Sequence, residues 1–108
     1  DPVQRAHKAG VTLVWGPDVI FNTPEWPRGK LSIDGVDEWK RTGIPNLTIL
    51  QALTTNPAKS LGLEKTRGAI KPGMRADIIA VSENPLEKIE TVKNVVFVMR
   101  IGKVYKGS

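Results

Sequence analysis

Asp18 is the residue whose type and setting best suit it to chemistry. It follows a β-rich run, Val11-Thr12-Leu13-Val14-Trp15, and stands directly after Gly16-Pro17. A carboxylate in such a setting can act as a general acid or base. An Asp after Gly-Pro also has a plainer use, capping a loop by hydrogen bonds to nearby backbone. Residue type and position alone favour the loop cap and leave the chemical role open. Pro17 removes one N–H and fixes φ beside the carboxylate.

The other candidates are few. The chain has one histidine, His7, and no cysteine. Disulfides and thiolate metal sites are therefore excluded, and a multi-histidine metal site cannot be built from this chain alone. His7 precedes Gly10 at the end of an expected helix, where a cation near the helix C-terminus is a better reading than a metal ligand. Phe21, Asn22, Trp26 and Arg28 lie beyond Asp18 on a stretch interrupted by Pro24, Pro27 and Gly29. Long loops often bind ligands, so these four are candidate substrate contacts; a solvent-side lid or an oligomer contact is the alternative. Trp39 reads as helix packing, and Asp77 as a local hydrogen-bond partner in a β unit.

The elements that must hold these residues follow from pattern. Residues 4–9 read as the end of a helix closed by Gly10. Val11–Trp15 reads as a strand buried on both faces, which suits an α/β architecture. Residues 19–34 read as a long loop. Residues 34–42 suit a short helix, acidic at its start and basic at its end, stopped by Gly43. Asn46 is expected to cap a second helix with Leu47, Leu50 and Leu53 at helical spacing. Asn56 is expected to cap a third, with Pro57 at its first position and Gly62 closing it.

Beyond residue 66 the character changes to β. Gly68-Ala69-Ile70 reads as a short strand, and Lys71-Pro72-Gly73-Met74 as a type II turn with Pro second and Gly third. Ala76–Val81 is a strongly apolar strand. Val92–Arg100 and Lys103–Tyr105 form a hairpin about Ile101-Gly102. Ile101 suits a primed turn poorly, because such turns need φ > 0, so a bulge or another turn type is expected there. The chain thus divides into residues 1–65, a β/α segment with a long loop, and residues 66–108, strands of an antiparallel β unit.

Composition bounds the function classes. The 108 residues are 40% hydrophobic and 25% charged, as in an ordinary globular domain. No apolar run approaches the ~20 residues needed to span a bilayer, and Asp1-Pro2-Val3-Gln4-Arg5 has no apolar signal core. A soluble, cytoplasmic protein without membrane partners is expected. The net charge of +5 comes from scattered Lys and Arg, which read as a solvated surface rather than a nucleic-acid face.

The order and spacing of several motifs identify a relationship. Ile49-Leu50-Gln51-Ala52-Leu53-Thr54-Thr55-Asn56-Pro57-Ala58-Lys59-Ser60-Leu61-Gly62-Leu63 resembles the segment that leaves the barrel in amidohydrolase-superfamily enzymes. Gly68-Ala69-Ile70-Lys71-Pro72-Gly73-Met74-Arg75-Ala76-Asp77-Ile78-Ile79-Ala80-Val81 then follows, with Asn84-Pro85-Leu86 and Val98–Tyr105 after it. His7–Asp18 resembles the family's last barrel helix and strand, with Pro17 where Thr or Ser is usual. The chain is most similar to the imidazolonepropionase-like and prolidase-like members.

That resemblance implies an α/β fold: the last β/α segment of a (β/α)8 TIM barrel, then strands of a small antiparallel β-sandwich lobe. It implies hydrolysis of an amide, cyclic amide or dipeptide C–N bond by metal-activated water. Asp18 would be a metal ligand and proton shuttle, beside one or two divalent ions, zinc being expected. The other ligands would come from earlier strands, so this chain alone is expected to hold no metal and to be inactive. The expected partners are the remainder of the barrel, from the same gene or a companion chain, a small-molecule amide substrate, and further copies in an oligomer. Asn56-Pro57-Ala58 is a signature of the family to which a structural role is assigned. The competing reading is a non-catalytic fragment or subunit with a role in assembly.

Overall fold

The computed structural model describes residues 1–20 and 22–107. Five short helices come first: α1 (Pro2–Lys8), α2 (Arg28–Asp34), α3 (Val36–Arg41), α4 (Asn46–Leu53) and α5 (Thr55–Ser60). Strand β1 (Ile78–Val81), a 3-10 helix (Ile89–Lys93), and strands β2 (Val95–Arg100) and β3 (Lys103–Lys106) complete the order. The strands form one antiparallel sheet in the order β1-β2-β3. Among the described residues no helix is long and apolar enough to cross a membrane.

Local chemistry explains some of the helix ends. Asp1 caps α1, its Oδ1 accepting from the Gln4 N–H at 3.0 Å. α3 carries Asp37 and Glu38 in its first turn and Lys40 and Arg41 in its last, matching the helix dipole as expected. Gly43 follows it with φ 90, a left-handed residue that ends the helix without a Cβ clash.

Several expectations are corrected. Val11–Trp15 makes no strand ladder among the described residues. A strand needs a partner edge, and this run spends its polar groups on helices: Trp15 N–H donates to the Ala52 carbonyl at 2.9 Å. The loop expected over 19–34 ends early, because α2 begins at Arg28. Its first turn starts at Pro27, with φ −62 and ψ 152, and Pro27 and Gly29 disguised it in the sequence. Asn46 and Asn56 are not caps. Pro45 and Thr54 hold the cap positions, without side-chain bonds, and both asparagines reach elsewhere. Gly68–Ile70 is a bend rather than a strand, and residues 92–94 leave the expected β2 because the 3-10 helix takes them up to Lys93.

The core unites both parts of the chain. Val36, Ile44 and Ile49 pack with Ile89 and Val92 of the 3-10 helix. Val3, Leu13, Trp15, Ile33, Trp39, Leu50 and Leu53 close around them. Trp15 and Trp39 meet edge to face, with centroids 4.9 Å apart. Trp39 is thus a packing residue, as its setting implied.

The hairpin turn departs from expectation in an informative way. Arg100 pairs with Lys103, so Ile101 and Gly102 alone make the turn, with φ 50 and φ 77. Two positive φ values mark a type I′ turn, which matches the twist of the strands. Asp77 holds the unfavourable residue: its Oδ1 accepts from the Ile101 N–H at 2.8 Å. Met74 N–H donates to Lys71 carbonyl at 3.2 Å and Gly73 has φ 87, the type II turn expected there.

Candidate functional site

The segment that ends at Asp18 is held by groups distant in sequence. Trp15 N–H bonds to the last turn of α4 through Ala52. The Trp15 indole N–H donates to the Ser32 carbonyl of α2 at 2.8 Å. The Asn56 amide of α5 donates to the Leu13 carbonyl at 2.9 Å, across 43 residues. Three helices therefore fix one short run of backbone, and that run delivers Asp18.

Asp18 itself takes a left-handed backbone, φ 52. Asp is among the few L-residues that adopt this region readily. The conformation turns the chain sharply after Pro17 and leaves the carboxylate exposed. Asp18 lines a cleft of about 430 Å³ with Trp15, Pro17, Val19, Ile20, Arg28, Ser32 and Ile33. One carboxylate and one guanidinium thus share a mostly neutral concavity.

The expected substrate-loop residues separate. Arg28 joins Asp18 in the cleft. Asn22 accepts from the Arg28 N–H at 2.6 Å through Oδ1, supplying α2 with the hydrogen bond its Pro cap lacks. Trp26 lines a different concavity beside Lys30, Asp37 and Lys93, with the Lys30 ammonium 3.7 Å from its ring centroid. Phe21 lies outside the described residues. His7 sits in the last turn of α1, in the position a dipole-facing cation takes.

Two contributors escaped the sequence reading. Ser32 and Ile33 reach the cleft because α2 turns them there. The i, i+4 spacing of Arg28 and Ser32 was the available signal, and Ser32 Oγ does donate to the Arg28 carbonyl at 2.7 Å. Asn56 was read as a local cap, and nothing in its neighbourhood announces a partner at Leu13.

The donor set bears on any metal. Among the described residues no group of three or more His, Cys, Asp or Glu comes together. Asp18 is a lone carboxylate in its cleft, so it fits a cation only as one ligand among several supplied from outside these residues.

Comparison with known proteins matches residues 1–105 to the family model described as the amidohydrolase family. The chain belongs to the amidohydrolase family. Ochratoxinase from Aspergillus niger is 35% identical over 108 residues, covering 96% of this chain and 21% of that protein. Adenine deaminase from Roseobacter denitrificans is 48% identical over 80 residues, covering 69% of this chain and 13% of that protein. The crystal structure of a Xaa-Pro dipeptidase with methionine in its active site superposes with a TM-score of 0.85 and 30% identity, over 99% of this chain and 25% of the dipeptidase. This amidohydrolase chain therefore spans about an eighth to a quarter of the length of these relatives.

Proposed function

We propose that this chain is the C-terminal portion of a metal-dependent amidohydrolase, forming the last segment of a (β/α)8 barrel and strands of its β-sandwich lobe. The complete enzyme hydrolyses an amide, cyclic amide or dipeptide C–N bond. Asp18 serves as one metal ligand and as the proton carrier. The observation that carries this reading is the setting of Asp18: an exposed carboxylate at φ 52, ending a segment that three helices hold, in a cleft with Arg28. Its family membership and its likeness to a dipeptidase support the C–N bond as the target.

A divalent cation, zinc being the expected one, supplies the Lewis acidity that makes water nucleophilic at neutral pH. Asp18 accepts the proton of the attacking water on a carboxylate oxygen and returns it to the leaving nitrogen, so that neither a strong base nor an anionic amine is released. Arg28 is the donor in the cleft able to hold a substrate oxygen. The remaining ligands come from the rest of the barrel, in the same polypeptide or a companion chain. The similarity to adenine deaminase favours a second reading, in which the C–N bond is that of an exocyclic amine and ammonia is the product.

The test is Asp18→Asn in the full-length enzyme. Asn tolerates the left-handed backbone, so the fold is kept. Turnover is expected to fall by about 10²–10⁴-fold, the usual worth of a positioned acid–base group. Near-normal turnover refutes the role of Asp18. Assaying amino-acid and ammonia release in parallel separates the amide reading from the deaminase one.

A further inference from the structure

Asn56 stands one residue inside α5, yet it does not cap that helix; its amide reaches the Leu13 carbonyl at 2.9 Å instead. Leu13 and Trp15 are tied to the same corner of the fold. Asn56 takes the Leu13 carbonyl, and two residues later Trp15 N–H takes the carbonyl of Ala52, the residue before the end of α4. The corner itself is closely packed. Gly68 approaches α5 so closely that a Cβ there would lie 2.7 Å from the Ala58 Cβ and 3.1 Å from the Thr54 carbonyl oxygen. Of the three bonds that fix residues 13–15, the one from Asn56 is the one made by a side chain on the anchoring helices.

We infer that Asn56 is a positioning residue for Asp18, acting through the Leu13 carbonyl five residues upstream. This inference rests on the reading of Asp18 as the proton carrier. The bond to the Leu13 carbonyl comes from the Asn56 side-chain amide, and Pro57, next in the chain, has no N–H to offer in its place. Without that donor the Leu13 carbonyl is released, residues 13–18 loosen, and the carboxylate loses its aim. A displacement of ~1 Å at a reacting group can cost about 10²-fold in rate.

The same chain supplies a control. Asn46 also sits at the start of a helix, and its amide also donates at 2.9 Å to a distant carbonyl, that of Leu86. That bond leads into the β unit and away from Asp18. The experiment compares Asn56→Asp, Asn56→Ser, Asn46→Ala and Asp18→Asn in the full-length enzyme. Asn56→Asp keeps the shape and replaces the donor by an acceptor facing a carbonyl. Asn56→Ser is too short to reach Leu13 and serves where the carboxylate prevents folding. In the soluble Asn56 variant, kcat is expected to fall about 10- to 100-fold with KM within about twofold. Amide hydrogen exchange is expected to quicken in residues 11–18 and not in β2. Asn46→Ala is expected to leave kcat and residues 11–18 unchanged. Unchanged kcat in the Asn56 variant beside an inactive Asp18→Asn overturns the positioning role alone. Active Asp18→Asn overturns the underlying reading. Equal kcat losses in the Asn56 and Asn46 variants, or quickened exchange throughout, assign Asn56 a general structural role and overturn the inference.

Discussion

The hairpin turn offers a stability prediction that needs no substrate. Ile101 is a β-branched residue at φ 50, where the Cβ crowds the following carbonyl. Left-handed backbone costs a non-glycine residue about 1–2 kcal/mol. Its side chain recovers little, since 64% of its surface stays exposed. Ile101→Asn places at this position a residue that tolerates the conformation, and makes Asn-Gly, the dipeptide best suited to a type I′ turn. A net gain of about 1 kcal/mol is expected. Asp77→Ala should do the reverse. It removes the 2.8 Å bond to the Ile101 N–H, worth about 1 kcal/mol where water can partly replace it. The Arg75–Asp77 ion pair, at 3.5 Å and with side chains 33% and 40% exposed, adds little. Local opening of β2 and β3 is read from amide hydrogen exchange in the full-length protein. A change of 1 kcal/mol is a factor of about five, so exchange should slow fivefold in Ile101→Asn and quicken fivefold in Asp77→Ala. Unchanged or faster exchange in Ile101→Asn would refute the strain argument.

Three further substitutions test the packing and the charge network. Gly68→Ala meets both a left-handed φ of 98 and the 2.7 Å contact with Ala58, so it should destabilise by about 2–4 kcal/mol. Gly62→Ala, at φ 72 in open space, should cost only about 1 kcal/mol, and equal losses by thermal unfolding would exclude a packing role for Gly68. Lys40 and Glu90 join α3 to the 3-10 helix at 3.1 Å. A hydrogen bond from its own backbone, then the Lys40 ammonium, hold the Glu90 carboxyl below its usual value of 4.5. Its contribution is therefore present above pH ~4.5 and lost as pH falls through the lowered folded value. The melting temperature of Glu90→Gln should lie below that of the natural protein at pH 7, and the gap should close on acidification; a gap that persists in acid refutes the linkage.

Features governed by neighbours in the chain were legible from residue types. The Pro72-Gly73 turn follows because Pro presets one φ and Gly supplies the other. The charged ends of α3 and the closing Gly43 obey the dipole and the left-handed cap. The family, too, was legible, because motif order and spacing survive without knowledge of any contact. Errors gathered where a group had to choose between a near partner and a far one. Asn46 and Asn56 sit where capping is expected, but their amides bond to carbonyls 40 and 43 residues away. Val11–Trp15 has the composition of a strand, yet pairing is a property of two edges, and among the described residues its backbone bonds to helices instead. Ile101 takes a backbone its type disfavours because Asp77, 24 residues upstream, holds its N–H. The cleft shows the same division. Type and position left Asp18 between a loop cap and a chemical role, and only the family resemblance singled it out, while its company with Arg28 and Ser32 depended on how α2 folds back. Propensity and spacing act over a few residues and are written in the sequence; hydrogen bonds between distant groups exist only once the core has brought those groups within 3 Å.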